Sequence, residues 1–253
     1  MFFSLKNEVA IITGGGSGIG LSVVKRFLQA EAEVVIADRD DYSELAEQLE
    51  CQFFQTDVSD LSQMQALMQF TMDTCGKIDI LVNNAGVFSG YKTLLESDQA
   101  DFQACHDVNV LGIFNGIKTA VPLMAAGSKI VNTSSMAGQH GTANLGSYVA
   151  SKHAAIGITR TAALELGDQN IRVNCVCPSS VNTPMAHEEG GEALLKSEKL
   201  TVPLARICEP EEVAAAIHFL ASDDCNFVNG QAISLCGGSS VGLTDRARAK
   251  LAG

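Results

Sequence analysis

Seven short apolar runs alternate with helix-like stretches along the whole chain, and this alternation limits the possible folds more than any other feature. The runs are VAIIT (9–13), EVVIA (33–37), QFFQT (52–56), DILVN (79–83), KIVNTS (129–134), IRVNCVC (171–177) and QAISL (231–235). Helical patterns are expected between them, at 18–30, 41–49, 60–75, 98–124, 147–167 and 210–221. Strands that are apolar on both faces and separated by helices predict a parallel sheet covered on both sides. Right-handed crossovers then make it a doubly wound α/β fold, a Rossmann-type sheet of seven strands. There is no internal repeat, low-complexity tract or Pro/Gly/Ser linker, so one domain over 1–253 is expected. The least regular stretch is 178–208. It is long, polar and contains the pair Gly190–Gly191, so it reads as a loop, with 184–204 expected to form a lid over a site.

Composition excludes several function classes. A chain that is 46% hydrophobic and 18% charged has the balance of a packed globular protein. The formal net charge of −12 opposes binding to nucleic acid or to an anionic membrane surface. No run approaches the roughly 18 apolar residues of a membrane span. The N-terminus, MFFSLKNEVAIIT, lacks a basic region followed by a long apolar core, so no signal peptide is expected. Eight cysteines occur without a CxxC pair, which favours buried free thiols in a reducing cytoplasm over a metal site. Cys175 and Cys177 should face the same side of their strand.

Three short motifs carry chemistry. The first strand runs into TGGGSGIG, 13–20, and then a helix. Glycines there let backbone N–H groups approach a phosphate, and a helix N-terminus favours negative charge. The spacing is Gly14-xxx-Gly18-x-Gly20, with Ile19 where the GxGxxG fingerprint would need glycine. Asp38 ends the second strand. Its carboxylate can accept hydrogen bonds from ribose hydroxyls and would repel a 2′-phosphate. Arg39 follows and can offset part of that repulsion, so NAD (NADH) is favoured over NADP. In GSYVASK, 146–152, Tyr148 and Lys152 are four apart and share one helix face. A phenol of pKa ~10 is rarely ionised at neutral pH. A neighbouring ammonium favours the phenolate and fits the phenol for general acid/base work.

With these residues in place, the chain resembles the compact, roughly 250-residue short-chain dehydrogenases/reductases over its whole length. TGGGSGIG is similar to that family's cofactor turn, with Gly14, Ser17, Gly18, Ile19 and Gly20 in the matching positions. TDVSD (56–60) resembles its adenine pocket, with Asp57 and Val58. NNAG (83–86) resembles its sheet motif, whose Asn84, Ala85 and Gly86 pass the cofactor. Asn109, Ser135, Tyr148 and Lys152 match the catalytic set, with Ser134 supporting the turn. Pro178, Val181 and Thr183 match the segment that holds nicotinamide, although Ser179 replaces the usual glycine. The resemblance implies hydride transfer between a nicotinamide and a secondary alcohol or ketone. Tyr148 is then the acid/base, Ser135 binds the reacting oxygen, and Lys152 also holds ribose. Asn109 holds a water that relays protons through Lys152. It further implies a homotetramer built on the helices around 98–124 and 147–167 and on the C-terminal strand region.

His140, Met185 and His187 are expected near the substrate, whereas His106, His153 and His218 are expected to be structural. Two other functions compete with this one. A nucleotide sensor without catalysis would lack the tyrosine or lysine, and both are present. An NADPH-dependent 3-oxoacyl carrier-protein reductase needs a basic docking surface. Here PLMAAGSK supplies only Lys129 and GDQN supplies nothing.

Overall fold

The computed structural model describes residues 2–251, apart from the side chains at 188–190, 193, 194, 197, 246, 250 and 251. Residues 1, 252 and 253 of the expected domain, and those side chains of the expected lid, lie outside the described residues. Seven strands form one sheet in the order β3-β2-β1-β4-β5-β6-β7. They are β1 (Val9–Thr13), β2 (Glu33–Asp38), β3 (Gln52–Gln55), β4 (Ile78–Asn83), β5 (Met124–Thr133), β6 (Arg172–Pro178) and β7 (Ala232–Leu235). Every pairing is parallel. The strand order reverses between β1 and β4, which opens a crevice at the carboxyl ends of the strands.

The period of two along each strand divides the core. Ala10, Ile12, Val34 and Ile36 pack with Val23, Val24 and Phe27 of α1 (Gly18–Gln29) and with Val213, Ile217 and Leu220 of α8 (Pro210–Ala221). Ile11, Val35, Leu81 and Ile130 point to the opposite side. There they meet Met64, Leu67 and Met68 of α3 (Leu61–Cys75) and Ala162, Ala163 and Leu166 of α6 (Gly146–Leu166). Both faces are apolar, so the strands show no polar alternation. Cys175 and Cys177 share a face, as expected, and pack with Met136, Ile156 and Cys236. All eight cysteines are free thiols. No helix among the described residues is long and apolar enough to cross a membrane.

Three segments depart from expectation. The single helix expected at 98–124 is divided into α4 (Gln99–His106), a π turn at Asp107–Leu111, α5 (Gly112–Ala120) and a short 3₁₀ turn. The wide turn carries Asn109, whose carbonyl oxygen accepts the Val87 N–H at 2.9 Å while its amide donates to Val87 O at 3.0 Å. Such turns recur where a helix must present one particular side chain. Second, β5 begins earlier than expected, at Met124, with a register shift opposite Ile78–Ile80.

Third, the middle of 178–208 is helical and not a loop. Thr183 caps α7 (Pro184–Thr201) through a contact from Ala186 N at 3.5 Å, and Pro184 takes the first turn, where its missing N–H costs nothing. The helix breaks at Gly191, which sits at φ +62°. Leu195 and Val202 are buried, so a few apolar side chains anchor an otherwise polar helix. The remaining helices are α2 (Ser43–Gln48) and α9 (Asp245–Leu251), and α9, which the sequence patterns do not signal, packs against α7.

Candidate active site

A cavity of about 720 Å³ follows the carboxyl ends of β1 to β6. At the end of β1 the chain turns through Gly14, at φ +62°, where a side chain would press on Ala85 Cα at 2.9 Å. Gly20 is held by close approach, because a Cβ there would lie 1.9 Å from Gly14 O. Gly14, Ser17, Gly18 and Ile19 line the cavity; Gly20 packs behind them and does not. A cradle this tight leaves backbone N–H groups as the surface offered to a phosphate.

Asp38 lines the cavity from the tip of β2. Its Oδ2 accepts Gly16 N at 3.0 Å and its Oδ1 accepts Asp40 N at 3.3 Å, so the carboxylate is aimed across the glycine turn. Arg39 and Asp40 also line the rim, 3.8 Å apart and both exposed. Asp40, not singled out in the sequence, thus sets a second carboxylate against any anion that Arg39 could attract. Asp57 and Val58 line the next stretch. The Asp57 carboxylate accepts both the N–H and the hydroxyl of Ser59, at 2.9 and 2.7 Å, and so shapes its own turn.

Asn84 fastens three strand ends together. Its amide donates to Thr13 O and Gly14 O, each at 3.2 Å, and its oxygen accepts the Thr133 hydroxyl at 3.3 Å. Asn84, Ala85 and Gly86 all line the cavity.

On α6 the four-residue spacing stacks Lys152 on Tyr148, with Nζ 5.5 Å from the ring centroid. Lys152 is 4% exposed and donates from Nζ to Thr133 O at 3.0 Å. Burial pushes its amine down to about 8, against an opposing pull from the nearby thiols Cys105, Cys177 and Cys175. Ser134 donates to Lys152 O at 2.9 Å, which ties α6 to the turn after β5. The next residue, Ser135, lines the cavity; its hydroxyl accepts Ala137 N at 3.1 Å and reaches Pro178 O at 3.5 Å. Tyr148, Lys152 and Ser135 therefore border one space.

Asn109 is fully buried and does not line the cavity. Its amide also donates to Ser151 Oγ at 3.0 Å. Its carbonyl oxygen lies 3.2 Å, and Lys152 Nζ 3.4 Å, from where a Cβ on Gly86 would sit, so the two groups flank Gly86.

Pro178, Val181 and Thr183 line the cavity beyond Ser135, as do His140 and Met185. Ser179 takes the place of the expected glycine at a φ outside the left-handed region, and its N–H donates to Leu235 O at 3.0 Å. His187 is not brought to the cavity. The first turn of α7 directs it to Asn182, with Nε2 2.6 Å from Oδ1. Leu145 and Leu195 also line the cavity, from the two segments 138–147 and 184–204 expected to face the substrate, whereas Phe88, Tyr91, Ser239 and Leu243 line it without a motif to mark them. Phe88 and Tyr91 follow NNAG closely, and that proximity was the one signal that could have marked them.

A family model described as enoyl-(acyl carrier protein) reductase matches residues 14–240. The 3alpha-hydroxysteroid dehydrogenase of Mediterraneibacter gnavus is 38% identical over 94% of this chain and 98% of its own length. The 3-oxoacyl-[acyl-carrier-protein] reductase of Thermotoga maritima is 37% identical, over 92% of this chain and 98% of its own. The ligand-free aldohexose dehydrogenase of Thermoplasma acidophilum has the same fold with a TM-score of 0.87 and 32% identity, covering 94% of this chain and 96% of that one. The chain belongs to the short-chain dehydrogenase/reductase family. It is an oxidoreductase of that family, which typically uses a nicotinamide cofactor.

Proposed function

We propose that the chain is a single-domain, NAD-dependent oxidoreductase that interconverts a secondary alcohol and a ketone. The observation that carries this is the convergence of Tyr148, Lys152 and Ser135 on one end of a cavity whose other end holds the glycine cradle and Asp38. The residues suit a dinucleotide, because Gly14, Ser17, Gly18 and Ile19 line the cavity as a tight backbone turn that only glycine allows at Gly14, with Asp38 at the tip of the next strand. The Gly14–Ile19 turn suits the pyrophosphate, Asp38 the adenine-side ribose, and Thr56–Val58 the base. Gly86, Lys152 and the Pro178–Thr183 segment suit the nicotinamide end. A nicotinamide held there would supply hydride chemistry at the carbinol carbon.

The chain's own part is proton handling and placement. Tyr148 receives the hydroxyl proton as the alcohol is oxidised and returns it on reduction. Ser135 Oγ donates to the same oxygen and steadies its developing charge. Lys152, stacked on the ring, stabilises the phenolate left behind as the proton moves. Asn109 supports the expected relay by holding the loop after β4 in register, with its oxygen across Gly86 from Lys152 Nζ.

The carrier-protein reductase reading has less support. Lys129, the one basic residue of PLMAAGSK, lies within β5, is 3% exposed and is paired with Glu8 at 3.0 Å and Asp223 at 3.1 Å, so it offers nothing to an acidic carrier. Exposed Phe102, Leu111, Phe114 and Leu164 on α4, the π turn, α5 and α6 support a homotetramer. The eight free thiols support a cytoplasmic setting.

The test compares wild type with Tyr148→Phe for NAD- and NADP-linked turnover of an alcohol panel, with dinucleotide affinity measured in parallel. Wild type should turn over with NAD in preference to NADP. The substitution should lower kcat by about 10²–10⁴-fold at unchanged NAD affinity. Activity within about tenfold of wild type removes Tyr148 from this role.

A further inference from the structure

The two ends of the cavity differ in chemistry. Asp38, Arg39, Asp40 and Asp57 line one end, as a dinucleotide's polar half requires. At the other end an aromatic and aliphatic wall stands among neutral hydroxyls, His140 and the acidic Glu198. Phe88 meets the Tyr148 ring edge-on, centroids 5.3 Å apart at 65°, and Tyr91 meets Phe88 at 5.1 Å and 61°. This aromatic ladder starts at the reacting phenol and ends at solvent, where Tyr91 is 46% exposed. Leu145 precedes Tyr148, and Met185 and Leu195 of α7 with Leu243 complete the apolar lining.

Apart from Lys152, lysine and arginine are missing from this end among the described residues, and His140 is the one imidazole in the lining. Among the described lining residues the lysine and arginine side chains are Lys152 and Arg39. Lys152 sits against the Tyr148 ring with Nζ bound to Thr133 O, and Arg39 lies at the tip of β2. Lys92, which follows Tyr91, is taken by Asp101 at 2.6 Å.

We propose, on the footing of the alcohol–ketone reading, that the substrate is a neutral alicyclic secondary alcohol or its ketone. Its ring lies against Phe88 and Tyr91, with the carbinol turned to Ser135 and Tyr148. A carboxylate or phosphate on the substrate would lose water with no other lysine or arginine to meet it and with Glu198 on the same wall. An alicyclic body presents a broad apolar face and has few torsions to freeze, unlike an open chain of equal carbon number. Aromatic walls favour such a face.

The experiment measures NAD-linked kcat/KM for cyclohexanol, decahydro-2-naphthol, 2-hexanol and 3-hydroxybutyrate. The ring alcohols should exceed 2-hexanol by about tenfold, and 3-hydroxybutyrate by about a hundredfold or more. Tyr91→Ala should raise KM for decahydro-2-naphthol about fivefold or more while moving KM for 2-hexanol less than about twofold. Phe88→Leu, which keeps bulk but loses the aromatic face, should move the two in the same sense. Use of 3-hydroxybutyrate as readily as the rings, or an equal effect of Tyr91→Ala on ring and open-chain alcohols, overturns the proposal. If none of these alcohols or other secondary alcohols turns over, the alcohol–ketone reading fails. The ring preference is then read by calorimetry of cyclohexanone and acetoacetate with the protein–NADH complex. Saturable binding of cyclohexanone alone upholds it, and any other result overturns it.

Discussion

Replacing Lys152 with Met should reveal an electrostatic cost that the folded protein carries inside its own active site. Lys152 is 4% exposed, and burial lowers its amine from 10.5 to about 8. At ~1.36 kcal/mol per pKa unit, holding that ammonium in the folded state costs about 3 kcal/mol. The sign follows from where each state binds its proton. The unfolded chain keeps the Lys152 proton up to about pH 10.5, whereas the folded chain releases it above about pH 8. Below pH 8 the whole cost is present, and between pH 8 and 10.5 it disappears, so this residue makes the wild type more stable as pH rises. Lys152→Met removes the charge at every pH. It also withdraws the donor from Thr133 O, a loss of about 1–3 kcal/mol that does not vary with pH. Urea unfolding of both proteins, at one protein concentration and at several pH values from about 7 to 10.5, reads the effect as the difference between two profiles, since groups distant from Lys152 titrate alike in both; repeating the pair with Tyr148→Phe in each protein removes the phenol that Lys152 influences. The wild type should gain about 2–3 kcal/mol on the variant across that window. Parallel pH profiles would refute the account of Lys152 as a desolvated ammonium.

Asp38→Ser should weaken NAD by about 10- to 100-fold through loss of a charged acceptor. It should also improve NADP, since Arg39 then faces the cavity with Asp40 as its one acidic neighbour on the rim; kcat/KM with each cofactor measures the ratio. Gly20→Ala should lower Tm and abolish dinucleotide binding together, because its Cβ would sit 1.9 Å from Gly14 O and overpacking of this kind costs ~1–3 kcal/mol. Hydrogen exchange over 184–204 should be fast in the free protein and slow once cofactor and substrate are both bound, with the break at Gly191 as the hinge; high protection in the free protein would remove the lid.

The parts of this protein legible in its sequence are those that local spacing controls. Seven apolar runs became seven parallel strands with few boundary shifts, because a strand buried on both faces leaves a continuous hydrophobic signature. Tyr148 and Lys152 share a helix face because the α-helical repeat places residues four apart together. The glycine turn and Asp38 meet because β1 and β2 are adjacent and parallel, which the first βαβ unit dictates.

Tertiary structure decided the rest. The π turn at Asp107–Leu111 has no signature of its own and exists because Asn109 bonds to the Val87 backbone, 22 residues away in sequence. The polar segment 184–201 reads as a loop until Leu195 and Val202 find a place to be buried. His187 looked like a substrate neighbour until the first turn of α7 directed it to Asn182. The apolar wall draws Phe88 and Tyr91 from the loop after β4, Leu195 from α7 and Leu243 from near the C-terminus. Contacts of that kind join residues with no shared period, so only the folded chain, which brings distant side chains to one surface, can specify them.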